Sequence, residues 1–149
     1  MNRLTETLAN LKQQNKKALV AYLVAGDPDI ETTIDLMHLF VEAGVDAIEI
    51  GVPFTDPIAE GPVIQRAHDR ALKNNISLKD IYSMVEIFRN KDSSTPLILM
   101  GYLNTFMFHK KIIEENKNSA IDSILVVDIP GEFNLNDYGI KSSSINTIS

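Results

Sequence analysis

The stretch EIGVPFTDPIAEGPVIQ, residues 49–65, joins an apolar run to a segment with helical periodicity. It places one carboxylate, Glu49, at the end of the apolar run, followed by three prolines, two glycines and two further carboxylates before the helical pattern resumes. Proline fixes the backbone angle φ and removes an amide donor, whereas glycine permits unusual dihedral angles. The pattern therefore predicts a strand that ends in a carboxylate, followed by a stiff loop of defined shape.

Apolar strands and amphipathic helices alternate on both sides of this stretch. ALVAYLVAG, residues 18–26, is apolar on both faces, which is typical of a parallel strand covered on both sides. Strands are predicted to begin near residues 18, 46, 96, 123 and 145, and helices are predicted over residues 4–11, 34–41, 63–74, 78–90, 105–118 and 132–140. Ser77 and Asp80 predict a capping box, and Gly44 predicts the C-cap of a helix.

This alternation predicts an α/β fold with a parallel sheet, which is either open or closed as a (β/α)₈ barrel. Five strands suit the open form, because a closed barrel needs at least about 200 residues. The chain ends within an apolar, strand-like segment, and natural domains rarely end there. We therefore expect residues 1–149 to be a single domain that is the first part of a longer chain.

Composition restricts the class of protein. The chain has 149 residues, of which 44% are hydrophobic and 23% are charged, and these fractions are typical of a globular domain with one sizeable core. Its formal net charge of −6 argues against binding to nucleic acid. It has no cysteine, and no stretch approaches the roughly 18 apolar residues of a membrane span. We expect a cytoplasmic protein that binds neither nucleic acid nor membrane.

Glu49 is the strongest candidate for a catalytic residue. Strand alternation places it opposite the bulky Ile48 and Ile50, at the carboxyl end of the strand, where α/β proteins bind ligands. An ionised carboxylate there is costly unless it is paired or borders a ligand. Burial should raise its pKa, which suits a group that both gives and takes a proton. The alternative is a structural ion pair with a buried Lys or Arg.

The loop is predicted to hold Asp56 and Glu60 above the edge of the sheet. Several carboxylates together also suggest a divalent metal, but His38, His68 and His109 are isolated in the sequence, and we predict no metal site. Side chains at the ends of the third and fourth strands would form an apolar pocket floor, for which ordinary core packing is an equally good explanation. These side chains are Met100, Tyr102, Leu125 and Val127.

Four segments together resemble the tryptophan synthase alpha chain family. AIEIGVPFTDPIAEGPVIQRA, residues 47–67, is similar to the family signature, and three other family segments occur in order and at about the right spacing. These segments are YLVAGDPD at 22–29, ILMGYLN at 98–104 and DSILVVDIP at 122–130. The resemblance covers essentially the whole chain. It implies a (β/α)₈ barrel of which this chain holds about the first half, strands one to five.

The resemblance implies a retro-aldol cleavage of indole-3-glycerol phosphate to indole and glyceraldehyde 3-phosphate. In this interpretation Glu49 is the acid and base, and Glu60 holds the indole N–H. Tyr22, Met100 and Tyr102 correspond to the wall of the indole pocket. The family resemblance implies no cofactor for this chain, because pyridoxal phosphate belongs to the partner beta chain.

The loop with Pro53, Thr55 and Asp56 resembles the region that faces the beta chain and closes on the substrate. Two residues depart from the family pattern: Glu60 replaces the usual Asp, and Thr55 replaces the usual Ser. A carboxylate displaced by about 1 Å can cost on the order of 10²-fold in rate.

Two alternatives remain open at the level of sequence. Another sugar-phosphate lyase barrel would place Lys or His at a strand end, and no predicted strand end offers one. A non-catalytic remnant that binds or activates the beta chain is made more credible by Glu60. The glycine-rich phosphate loops of the family are absent from these 149 residues, and we expect the residues alone to be inactive.

Overall fold

The computed structural model describes residues 3–116, 120–129 and 146–148. In these ranges five parallel strands form one sheet, and each strand is hydrogen-bonded to the next in chain order. The strands are β1 Val20–Val24, β2 Ala47–Gly51, β3 Leu97–Gly101, β4 Ser123–Val126 and β5 Asn146–Ile148. The predicted strands are confirmed in order and direction. The helix predicted over residues 132–140 lies outside the described residues.

Six helices lie within the described ranges. They are α1 Arg3–Gln13, α2 Ile30–Glu42, α3 Pro62–Lys73, α4 Leu78–Arg89, α5 Leu103–Phe108 and α6 Lys110–Glu115. The capping box at the start of α4 is confirmed, because the Ser77 hydroxyl accepts from the Asp80 amide and the Asp80 carboxylate accepts from the Ser77 amide. These local signals were sufficient to locate the helix correctly.

Two helix predictions need correction. The C-cap of α2 is Ala43, and Gly44 follows it with φ of 86°, which is the left-handed conformation typical of the residue after a C-cap. The single helix predicted over residues 105–118 is two short helices, because His109 has φ of −102° and ψ of 18° and interrupts the helical backbone. Nothing in the local sequence marks this interruption.

The two faces of the sheet have separate cores. Ile48 and Ile50 of β2 are fully buried in a cluster with Met37 of α2 and Ile81 of α4, as the alternation predicted. On the opposite face, which also carries Glu49, smaller clusters form at the two ends of the sheet. Leu4 of α1 packs with Ala47 and Ile98, and Val24 packs with Ala67 and Ala71 of α3. Helix α1 therefore covers the amino end of this face, and α3 covers the carboxyl end of β1.

A buried ion-pair network lies at the amino end of β4. The carboxylate of Asp122, which is 3% exposed, accepts from the Leu97 amide at 2.9 Å and from Nη2 of Arg89 at 3.2 Å. Nε of Arg3 lies 3.1 Å from the same carboxylate. Arg89 also donates to the Thr95 carbonyl at 2.7 Å. One carboxylate thus ties α1, α4 and the start of β3 together.

Candidate active site

Glu49 lies near the carboxyl end of β2, in register between Tyr22 of β1 and Ile98 of β3. Its side chain is half-buried, and burial raises the pKa of its carboxyl group. Within the described part of the chain, no Lys or Arg forms an ion pair with Glu49, and its carboxylate accepts no hydrogen bond. The structural ion pair that was the alternative for Glu49 is therefore not found among these residues.

The raised pKa of Glu49 predicts how the free energy of unfolding depends on pH. Because the folded state holds the Glu49 proton above the ordinary pKa of 4.5, the free energy of unfolding falls as pH rises from that value through the folded-state pKa. The variant Glu49→Gln does not lose stability in this way, because glutamine has no carboxyl group to titrate. We expect its stability relative to the original protein to be greater at about pH 7 than at about pH 4.

Urea unfolding at the two pH values measures this difference. The experiment uses the full reading-frame protein, which we define as this chain with any coding sequence that continues past residue 149. Glu86→Gln is the matched control, because Glu86 is an exposed residue of α4. An equal stability difference at both pH values would contradict the prediction.

Glu60 is turned inward from the loop. Its side chain is 7% exposed, and the Tyr102 hydroxyl donates a short hydrogen bond to Oε2. The same hydroxyl accepts from the Ala59 amide at 3.0 Å. Burial, together with the hydrogen bond to Glu60, raises the pKa of Tyr102 to about 12, and the hydroxyl therefore stays protonated at neutral pH. The other oxygen, Oε1, is buried, and no group of the described residues donates a hydrogen bond to it.

His68 belongs to this cluster, although its isolation in the sequence gave no sign of a site. It is 1% exposed on α3, and its Nε2 lies 3.8 Å from Glu60 Oε1 and 3.3 Å from the Tyr22 hydroxyl. The Phe54 amide donates to Nδ1 at 3.0 Å. Burial lowers the pKa of His68 despite the opposing charge of Glu60 and so favours the neutral ring, whose proton the Phe54 amide at Nδ1 directs to Nε2.

The sequence did contain one signal for His68. Ile64, Ala67 and Ala71 have helical spacing and pack against β1, and His68 lies on this apolar face of α3. A histidine on the buried face of a helix needs polar partners, because an unpaired ring nitrogen would be desolvated. The apolar face of α3, rather than a metal-ligand spacing, is the pattern that indicates a buried site for His68.

Tyr22 lies next to both carboxylates. Burial raises its pKa, and the charges of Glu60 and Glu49 raise it further. A Cβ atom at Gly51 would overlap the hydroxyl end of the Tyr22 ring, and the absence of a side chain at this position is what gives the ring its space. The structure therefore brings Glu49, Glu60 and His68 together around Tyr22.

The other predicted pocket residues are placed as follows. Met100 is buried and stands in register between Gly51 and Leu125, on the face that carries Glu49. Leu125 is half-buried and packs against the cluster around Leu4. Val127 was predicted near the end of the fourth strand, but β4 ends at Val126 and Val127 lies in the turn that follows.

The exposed part of the loop is separate from this cluster. Thr55 and Asp56 are exposed, and the Thr55 hydroxyl donates to the Asp56 carboxylate at 2.7 Å. Asp56 therefore does not lie beside Glu60 in the buried cluster. Pro53 is buried and borders a cavity of about 370 Å³ that Phe54 and Phe108 also line. Neither predicted catalytic carboxylate lines this cavity.

The described residues contain no group of three or more His, Asp or Glu side chains that could hold a metal ion. In the same ranges, no helix combines the length and the apolar character that crossing a membrane requires.

Known proteins resemble this chain along almost its whole length. A family profile described as "Tryptophan synthase alpha chain" matches residues 8–148. The tryptophan synthase alpha chain of Nitrosomonas europaea is 51% identical over 134 residues, which are 89% of this chain and 49% of that protein. That of Thiobacillus denitrificans is 50% identical over 137 residues, which are 91% of this chain and 50% of that protein.

Solved structures agree with these relatives. Tryptophan synthase subunit alpha from Legionella pneumophila is 41% identical with a TM-score of 0.90, and the match covers 99% of this chain and 57% of that one. A chain in the tryptophan synthase a2b2 complex of Pyrococcus furiosus is 39% identical with a TM-score of 0.74, and the match covers 87% of this chain and 53% of that one.

The predicted fold class is confirmed by these comparisons. The five parallel strands correspond to part of a (β/α)₈ barrel, and the chain spans about half the length of the curated relatives it matches. Because the profile covers residues 8–148 and about half of the aligned residues are identical to those of the relatives, the chain belongs to the tryptophan synthase alpha chain family.

Proposed function

We propose that this chain supplies the amino-terminal half of a lyase that cleaves indole-3-glycerol phosphate to indole and glyceraldehyde 3-phosphate. The observation that carries the proposal is Glu49, a half-buried carboxylate with a raised pKa near the carboxyl end of β2. Among the described residues it has no ion-pair partner. A group that must give and then take a proton works best with a pKa close to the working pH.

The reaction balances with one carboxyl group as acid and base. Protonated Glu49 gives its proton to the indole carbon that bears the side chain, and Glu60 accepts a hydrogen bond from the ring N–H as the ring loses electron density. Glu49 then takes the proton of the adjacent hydroxyl group. The carbon–carbon bond breaks, its electron pair returns to the indole ring, and the hydroxyl carbon leaves as an aldehyde. Glu49 ends protonated, as it began.

The proposed substrate pocket lies on the face of the sheet that carries Glu49. Tyr22 and Met100 occupy that face, and their place in register beside β2 supports a role as pocket wall. Tyr102 lies one residue past β3 and stacks on Phe54 at 4.6 Å between ring centroids. Leu125 and Val127 remain proposed contacts at the β4 side of the pocket.

The proposed partner is a tryptophan synthase beta chain, in an assembly of two alpha and two beta chains. The a2b2 complex named for the Pyrococcus furiosus relative supports this proposal. Pro53, Thr55 and Asp56 would lie in the contacting loop, and the exposure of the last two supports this. Pyridoxal phosphate would belong to the beta chain and no cofactor to this chain. We place the protein in the cytoplasm on the basis of its cysteine-free sequence.

One observation favours a second function, that of a non-catalytic chain that binds the beta chain. Oε2 of Glu60 is occupied by the Tyr102 hydroxyl while its Oε1 is buried, and the family resemblance implies Asp at this position. A carboxylate held in this way is less available to an indole N–H. The two functions differ in whether indole is released.

The deciding experiment mixes the full reading-frame protein with indole-3-glycerol phosphate and measures both products. We expect indole and glyceraldehyde 3-phosphate to form in equal amounts. A folded protein that binds a beta chain and releases no indole would establish the non-catalytic function. Sequencing of the gene past codon 149 in the same frame defines the protein to be used.

A further inference from the structure

We propose that His68 is a positioning residue for Glu60, and that its Nε2–H supplies the second donor that fixes the Glu60 carboxylate. Its effect on rate rests on the cleavage proposed above, whereas the contact between His68 and Glu60 does not. Three features of the cluster point to this role: the fixed tautomer of His68, the buried oxygen of Glu60 that has no hydrogen-bond partner among the described residues, and the length of the Glu60 side chain.

The tautomer of His68 is set by the loop. The Phe54 amide donates to Nδ1 at 3.0 Å, and Nδ1 must therefore be the unprotonated nitrogen of a neutral ring. The ring proton is then on Nε2. This nitrogen faces the Tyr22 hydroxyl at 3.3 Å and Glu60 Oε1 at 3.8 Å. The loop that carries Glu60 thus also directs a donor toward it.

The unpartnered oxygen of Glu60 faces this donor. Oε2 is bound by the Tyr102 hydroxyl, but Oε1 is buried and has no hydrogen-bond partner in the part of the chain that the structure describes. A buried carboxylate oxygen without a donor is costly, and such an oxygen needs an explanation. A distance of 3.8 Å is too long for a hydrogen bond. A movement of about 1 Å by the carboxylate or the ring would reach the ordinary length.

The surrounding charges leave His68 a neutral donor. Glu60, Asp69 and Asp27 favour its charged form, but burial opposes them and lowers its pKa overall. Asp27 is itself paired with Arg70 through two hydrogen bonds of 2.7 Å. His68 therefore faces Glu60 as a neutral hydrogen-bond donor rather than as the cation of an ion pair.

The length of the Glu60 side chain explains why the pair occurs in this chain. Glutamate is one methylene longer than aspartate, and the Glu60 carboxylate extends into the cluster between Tyr102 and His68. Without a second donor, the longer side chain would have one oxygen fixed and the other free. His68 restricts this freedom, and the role of His68 should depend on Glu60.

Two variants of His68 test the roles of its two ring nitrogens one at a time. In His68→Asn the amide oxygen can replace Nδ1 as acceptor for the Phe54 amide, but the donor at Nε2 is lost. In His68→Gln the amide nitrogen can replace Nε2 as donor, but the acceptor at Nδ1 is lost. In the full reading-frame protein we expect His68→Asn to lower kcat about 10-fold to 100-fold with little change in KM. We expect His68→Gln to keep most of the rate.

A Glu60→Gln background tests the dependence on Glu60. There we expect His68→Asn to cause no further loss, because the two changes act on one contact. Equal losses in both His68 variants, or unchanged rates in both, would overturn the inference while the cleavage function stands. An additive loss in the double variant would also overturn it.

A nitrogen NMR measurement keeps the inference testable if no cleavage is found or if a His68 variant does not fold. In the original protein we expect the His68 ring to carry its proton on Nε2. We expect the Nε2 signal of His68 to shift in Glu60→Gln and to keep its position in Glu86→Gln. A proton on Nδ1, or a signal indifferent to Glu60→Gln, would overturn the contact whatever the activity.

Discussion

Glu49→Gln is expected to lower the rate of indole-3-glycerol phosphate cleavage by about 10³-fold or more, since one positioned acid or base contributes roughly 10²-fold to 10⁴-fold and Glu49 acts twice. Glutamine has nearly the shape of glutamate but neither gives nor takes a proton. The described residues contain no ion-pair partner of Glu49 that the substitution would leave unpaired. The variant should therefore fold and lose the chemistry alone.

The measurement is indole release at saturating substrate, with beta-chain binding followed in parallel. Binding should be unchanged, because Glu49 lies within the sheet and the exposed loop residues Thr55 and Asp56 are not altered. Glu86→Gln serves again as the control for loss of one charge. A rate within tenfold of the original would show that Glu49 is not the acid and base.

Asp122→Ala is expected to lower the free energy of unfolding by about 3–5 kcal/mol. Asp122 is 3% exposed, and its removal leaves the buried guanidinium of Arg89 with only the longer, 3.4 Å contact to the Asp92 carboxylate among the ion pairs of the described residues. Burial, together with the charge of Arg3, lowers the pKa of Arg89 to about 10. The Leu97 amide would lose its acceptor as well. The loss of the Arg89 ion pair and the loss of the Leu97 hydrogen bond both lower the free energy of unfolding.

Urea unfolding of the full reading-frame protein measures this change. Asp35→Ala is the matched control, because Asp35 is exposed on α2 and its removal should change stability by less than about 0.5 kcal/mol. Asp122→Asn keeps the shape and removes the charge, and its loss should be intermediate. A loss below about 1 kcal/mol in Asp122→Ala would mean that the network does not stabilise the fold.

Features that depend on local sequence were predictable. Apolar runs located the strands, and the capping box of Ser77 and Asp80 needed only residues three positions apart. Glu49 was predictable as well, because strand alternation and position on the strand are both local properties. The bulky side chains of Ile48 and Ile50 indicated that their face of β2 packs against helices, and this assigned Glu49 to the other face of the strand.

Features that depend on distant contacts were not predictable. The inward turn of Glu60 is set by Tyr102, which is 42 positions away, and the partner of His68 across the cluster, Tyr22, is 46 positions away. The end of β4 was misjudged for a similar reason. β4 ends at Val126, which is in register with Gly101, the last residue of β3, and the Val127 amide makes one further hydrogen bond to the Gly101 carbonyl at 3.1 Å before the chain turns away.

The position of α1 sets an order of events for a chain that is being synthesised. Arg3 is 119 positions from Asp122, yet the two side chains are in contact, and Leu4 packs on strands that emerge from the ribosome much later. Contacts of such long range require the largest loop closures and form late. Helix α1 can therefore complete its contacts only after the residues around Asp122 have been synthesised.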